Sequence, residues 1–139
     1  MKVLPDTNVW IAGLISRGQC AELIEHCISE HRLVASERIV AELTEVLERR
    51  FGYTRDHLER TESWLREVAD VVALTGDPPD VCRDPDDNWV LLSATESCAD
   101  VIVSGDSDLI DLNSYDAIPI LKPAAFWHFE RTGDPPRLE

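Results

Sequence analysis

Seven carboxylates stand where apolar runs of the chain stop or helical patterns start. Asp6 directly follows Lys2-Val3-Leu4-Pro5. Asp106 and Asp108 lie just past Val101-Ile102-Val103. Asp84, Asp86 and Asp87 crowd Arg83-Asp84-Pro85-Asp86-Asp87-Asn88, ahead of the apolar stretch Trp89 to Cys98, and Glu42 sits beside Leu43 on a segment of helical spacing. In open α/β sheets the ligand crevice lies beyond the carboxyl ends of the strands. Carboxylates gathered at one such edge repel each other unless cations stand between them. Oxygen donors unsupported by His or Cys suit Mg²⁺ or Mn²⁺ rather than Zn²⁺. Ions held this way are the usual apparatus for in-line attack at phosphodiesters. Each residue alone has a plainer reading. An Asp between strand and helix caps the helix by accepting an orphan N–H, which would account for Asp87, and Asp108 could cap the turn at Leu109-Ile110. Glu42 alone could be half-exposed. The joint pattern is what points to metal.

These residues need elements to hold them. Lys2 to Leu4 reads as a strand, with Pro5 tolerable only at its last position. Asp6-Thr7-Asn8 is suited to capping a helix over Val9 to Ile15. Ala21 to Ile28 has helical spacing, and Leu33-Val34-Ala35 is a brief strand. Ser36 opens a helix whose stripe is Ile39, Val40, Leu43, Val46 and Leu47, ending near Phe51-Gly52. A helix over Thr54 to Ala69, a strand over Asp70 to Leu74, a buried helix over Trp89 to Cys98 and an apolar strand at Val101 to Val103 follow. A strand at Ile118 to Leu121 and a terminal helix from Ala124 to Phe129 complete the pattern. Alternating strands and helices imply crossovers and a three-layer α/β/α sandwich with a short, mainly parallel central sheet.

A length of 139 residues predicts a single domain, taken as residues 1–131, with a frayed tail at 132–139. No run is apolar enough to span a membrane and no leader pattern opens the chain, so a cytoplasmic protein is expected. The net charge of −14 excludes a broad basic groove for nucleic acid and favours bound cations, a basic partner, or both. Cys20, Cys27, Cys82 and Cys98 lack metal spacing and are read as small buried hydrophobes, so no zinc site is expected. His26, His31, His57 and His128 show no H-E-x-x-H or other metal spacing and are read as surface or core residues. Nucleophile elbows, P-loops and dinucleotide fingerprints do not occur. Trp10, Trp64, Trp89 and Trp127 fit packing or an interface better than base stacking. Arg49, Arg50 and Arg55 form the densest basic cluster, either complementing a helix C-terminus or contacting phosphate.

Taken together, Val3-Leu4-Pro5-Asp6-Thr7-Asn8-Val9, Ile39-Val40-Ala41-Glu42-Leu43, Arg83-Asp84-Pro85-Asp86-Asp87-Asn88 with Val90 to Ala94, and Val103-Ser104-Gly105-Asp106-Ser107-Asp108-Leu109 resemble the four acidic motifs of the PIN-domain family, in order and over nearly the whole chain. The nearest likeness is to VapC-type toxins of toxin–antitoxin pairs. That resemblance implies a metal-dependent ribonuclease in which Asp6, Glu42, Asp87 and Asp106 hold one or two Mg²⁺ or Mn²⁺ ions, leaving a 5′-phosphate and a 3′-hydroxyl. Asp108 would contribute through water, with Asn8 and Ser104 orienting carboxylates or water. Asp86 is the alternative ligand to Asp87, and Asp84 is expected to pair with Arg83. Cys98 stands where the family pattern has a small residue near a helix end. The resemblance further implies an RNA substrate, a basic antitoxin partner and a homodimer. The competing readings are a catalytically silent PIN-fold binding module and a DNA-directed nuclease using the same site.

Overall fold

Three short apolar segments carry the centre of the sheet, and all are buried on both faces. They are β1 (Lys2–Pro5), β2 (Arg32–Ser36) and β4 (Val101–Val103). A strand exposes alternate side chains to opposite faces, so burial at nearly every position requires helices on both sides. The computed structural model describes residues 1–134; of the expected frayed tail, residues 135–139 lie outside the described residues. Around the core strands run α1 (Thr7–Ile15), α2 (Gln19–Glu30), α3 (Glu37–Phe51), α4 (Arg55–Val68), β3 (Ala69–Val72), α5 (Pro85–Glu96), α6 (Ser107–Ile110), β5 (Ser114–Tyr115), β6 (Ile118–Leu121) and α7 (Pro123–Thr132). The sheet order is β3-β2-β1-β4-β6-β5, parallel throughout except for β5. The protein is an α/β/α sandwich, as the sequence pattern implies.

From β1 the chain steps outward to β2 and β3, then returns to the other side of β1 as β4. The order therefore reverses between β1 and β4, and the crevice of such a sheet opens at that point. Register places Val3 opposite Val101, Leu4 opposite Ile102 and Pro5 opposite Val103. The Asp6 N–H donates to the Val103 carbonyl at 2.9 Å, which carries the ladder past the missing N–H of Pro5. Asp6 and Ser104 consequently leave the sheet side by side.

Helix boundaries move where caps act earlier than apolar periodicity shows. α1 begins at Thr7 because Asp6 itself is the cap. α5 begins at Pro85, four residues before Trp89, with Asp84 as cap and proline in the first turn. Asp87 and Asn88 are thus inside α5 and buried. α7 extends to Thr132 and ends on Gly133, whose φ of 73° suits glycine. β5, absent from the sequence reading, pairs antiparallel with β6 through Asp116-Ala117, both with positive φ, as in a type I′ hairpin turn. Cys98 corrects the reading of the cysteines as uniformly buried. It is exposed, with φ 57°, in the left-handed position after α5.

Candidate metal centre

At the end of β1, Asp6 is buried and both carboxylate oxygens are engaged. Oδ1 accepts the Val9 N–H at 2.9 Å as the cap of α1, and Oδ2 accepts the hydroxyl of Ser104. Ser104, fully buried one step past β4, also accepts the Asp106 N–H at 3.0 Å. One hydroxyl therefore ties the first carboxylate to the loop bearing the fourth. Burial pushes the Asp6 carboxyl above its ordinary range, against the lowering effect of the Ser104 and Val9 hydrogen bonds. Each carboxylate oxygen retains a second lone pair for a further ligand.

Asp106 caps α6, its Oδ1 accepting the Asp108 N–H at 2.8 Å, so Asp108 is within that turn rather than its cap. Facing them is Asp87, in the first turn of α5. Asp87, Asp106 and Asp108 each offer an oxygen within 4.8 Å of the others. Burial, followed by the charges of Asp106 and Asp84, raises the Asp87 carboxyl to about 7. Its Oδ2 is buried with no hydrogen-bond partner, as is Thr7 Oγ1 in the first turn of α1. Buried oxygens are rarely left unpaired, so two in the first turns beside this crevice mark room for a ligand. Oxygen-only donors, one of them orphaned, fit a hard divalent cation.

Glu42 approaches on α3. Burial and the nearby Asp86 charge raise its carboxyl above its ordinary range, with Arg38 opposing and Asp6 adding to the rise. Arg38, Ala41, Glu42, Glu45 and Asp86 line a groove of about 290 Å³. Ser36 holds this helix in place: it caps α3 through the Ile39 N–H and hydrogen-bonds Ser93 of α5 at 2.7 Å. Asn88 does similar work for α5, accepting the Val81 and Cys82 N–H groups and donating to the Cys82 carbonyl. Neither Ser36 nor Asn88 was singled out from sequence as part of this site. Ser36 reads from sequence only as a helix opening, and Asn88 only as the last residue of an acidic motif.

Several expected roles change. Asp84 does not pair with Arg83, because its carboxylate is used on the Asp86 N–H at the helix cap. Arg83 pairs instead with Asp108 at 2.9 Å. Asp86 faces Arg38 at 3.5 Å. The Asn8 side chain is exposed, so its contribution to Asp6 is the backbone N–H of the first turn. Arg49, Arg50 and Arg55 are not brought to the carboxylates. Arg49 is seven residues, about 10 Å, further along α3 than Glu42 and pairs with Glu45. Arg55 lines a separate cavity of about 710 Å³ with Glu48, Tyr53, Glu59 and Glu62. Among the described residues, the guanidiniums paired with carboxylates of this cluster are Arg38 and Arg83, and Arg38 lies 4.5 Å over the ring of Trp89.

An acidic centre at the switch point of a mainly parallel sheet defines a class, and comparison with known proteins gives its family. Residues 2–108 match the PIN domain, and the chain belongs to the PIN domain family. No curated protein sequence matches the chain. Among solved structures, it is similar to the VapBC2 structure from Rickettsia felis bound to a DNA fragment from its promoter, with TM-score 0.61 and 9% identity over 86% of this chain and 97% of that one. It is also similar to VapBC-1 from nontypeable Haemophilus influenzae, with TM-score 0.60 and 18% identity over 89% and 99% of the two chains. At these identities the likeness is one of fold. No helix among the described residues is long and apolar enough to cross a membrane.

Proposed function

We propose that this chain is a metal-dependent endoribonuclease and the toxin of a type II toxin–antitoxin pair. The observation that carries the reading is the orphaned, buried Oδ2 of Asp87 in a residue grouped with Asp106 and Asp108 within 4.8 Å. Asp87, Asp106 and Asp108 would hold Mg²⁺ or Mn²⁺, with Asp6 and Glu42 completing the centre. When bound, such an ion lowers the pKa of a water and offsets the charge of a phosphodiester. Ser104 keeps Asp6 and Asp106 in fixed relation, so the donors are organised before an ion arrives. Arg38 and Arg83 would serve at the rim as the phosphate contacts, while Arg49 and Arg50 stand in the last turn of α3, where they complement the helix C-terminus.

The likeness in fold to chains of two VapBC structures, together with the charge of −14, supports a basic antitoxin as partner. RNA as substrate, products with 5′-phosphate and 3′-hydroxyl ends, and a homodimer belong to the same reading. The test is cleavage of labelled single-stranded RNA by the purified chain with Mg²⁺ or Mn²⁺, with single-stranded DNA as competitor. Cleavage should vanish in EDTA and in Asp6→Asn. Activity surviving both would sink the assignment. Preferential cutting of DNA would make it a DNA nuclease, and ion binding without turnover on either a silent binding module.

A further inference from the structure

At the opposite end of the sheet, where strands begin, two imidazoles and a carboxylate converge on one point. His31 immediately precedes β2, His26 lies five residues earlier on α2, and Glu130 reaches both from α7. Nε2 of His26 and Nε2 of His31 each stand 2.5 Å from the same oxygen, Oε2 of Glu130. Their potential ligand atoms all lie within 4.8 Å of one another. The side chains are 29%, 12% and 25% exposed, sheltered yet reachable from solvent. Aromatic rings wall the cluster: Trp127 is 4.8 Å from His26 and Phe126 is 5.7 Å from His31.

One carboxylate oxygen can accept from both imidazoles, and the same two nitrogens and that oxygen are also the three potential ligand atoms, gathered from three elements around a common centre. Its chemistry differs from that of the acidic crevice. Two neutral imidazoles with one carboxylate suit a borderline ion such as Zn²⁺, with a fourth position open to water, whereas oxygen-only donors suit Mg²⁺ or Mn²⁺. The nuclease reading makes no use of these residues, and Glu130 lies beyond the stretch matching the family.

We propose that His26, His31 and Glu130 form a site for Zn²⁺, or a chemically similar first-row divalent ion, which clips α7 to α2 and the head of β2. Tetrahedral ligands at Zn²⁺ distances sit roughly 3.3 Å apart, so the donors open by under about 1 Å to admit the ion. Each imidazole binds through its Nε2 lone pair with its single proton held on Nδ1, so protonation to imidazolium competes with the ion and binding strengthens as pH rises. The N-terminal ammonium, 3.3 Å from His31 Nδ1, opposes the ion at low pH in the same sense. Because Glu130 is 104 residues from His26, the site exists only in the folded chain, and the ion stabilises that state.

The test uses the whole chain and Zn²⁺ alone, followed by calorimetry and thermal unfolding, with Co²⁺ as a quencher of Trp127 fluorescence. Expected is a bound Zn²⁺ and a raised Tm that are both retained in Asp106→Asn, where the acidic centre is impaired. Affinity should fall on the order of 100-fold in His26→Ala and in Glu130→Gln. Co²⁺ should quench the wild-type chain more than Trp127→Phe, a readout that stands even if a ligand variant fails to fold. Zn²⁺ binding unchanged in folded His26→Ala, binding lost in Asp106→Asn, equal quenching with and without Trp127, or no binding at millimolar Zn²⁺ would each overturn the proposal. None of these results depends on whether the chain cuts RNA.

Discussion

Ser104 has no charge and no place among the carboxylates, yet it touches one of them and the backbone of another. Replacing it with alanine removes the donor to Asp6 Oδ2 and the acceptor of the Asp106 N–H. Ser104→Ala is expected to weaken Mn²⁺ affinity about 10- to 100-fold with the fold intact, as measured by calorimetry and circular dichroism. Asp87 gives a prediction with a sign. Its carboxyl titrates near 7 in the folded chain against about 3.9 when unfolded. Between those values the native state keeps a proton that the unfolded state has lost, so stability from this group falls as pH rises from about 4 to 7 and is level above. In EDTA, Asp87→Asn should therefore unfold at a higher temperature than wild type at pH 7.5, by on the order of 5 °C, and lose most of that advantage at pH 4.5. Parallel melting profiles would contradict the assigned titration. The acidic residues were legible because their chemistry is in their type. Ser104 was noticed only through a motif, and Arg38 not at all, since nothing in the sequence says that an exposed arginine on α3 lies over Trp89 of α5.

At the scale of elements, apolar periodicity located most of the strands and helices but misplaced where several start. Caps decide those starts: Asp84 with Pro85 draws α5 forward by four residues and takes Asp87 into the helix. β5 escaped notice because its turn, Asp116-Ala117, lacks the glycine that usually announces a type I′ hairpin. Ala117 adopts φ 65° there, a conformation that costs an L-residue with a Cβ roughly 1 kcal/mol. Ala117→Gly should thus raise Tm by about 2–4 °C without altering metal affinity, since the hairpin is at the sheet edge away from the carboxylates. The histidine cluster was illegible for a different reason. Motif spacing finds ligands shared by one helix or loop, whereas Glu130 belongs to an element that only tertiary folding brings to His26 and His31.

For the whole molecule, the charge of −14 sets how a polyanion can be approached. Among the described residues two guanidiniums pair with the acidic cluster, and so small a number, rather than a basic face, limits the phosphates that can displace counterions. Anisotropy with labelled single-stranded RNA and Ca²⁺ in place of Mg²⁺ should give a slope of log affinity against log salt of roughly −1.4, from about two contacts at −0.7 each. Arg38→Ala should lower the slope by about half that amount, and Arg49→Ala should leave it unchanged. A much steeper slope in the wild type would require further cationic contacts. Sedimentation of the chain alone and with a basic antitoxin peptide tests the expected homodimer and partner separately.

Pairing of β1 with β4 also has a consequence in time. Asp6 is synthesised 98 positions before Ser104, which secures it. At translation speeds of about 5–20 residues per second, that interval lasts roughly 5–20 s. Throughout it the nascent chain carries carboxylates but no assembled centre, and no shorter fragment of the growing chain contains one. An enzyme that attacked RNA would thus remain harmless on the ribosome that makes it until the segment carrying Ser104 and Asp106 has been made and folded.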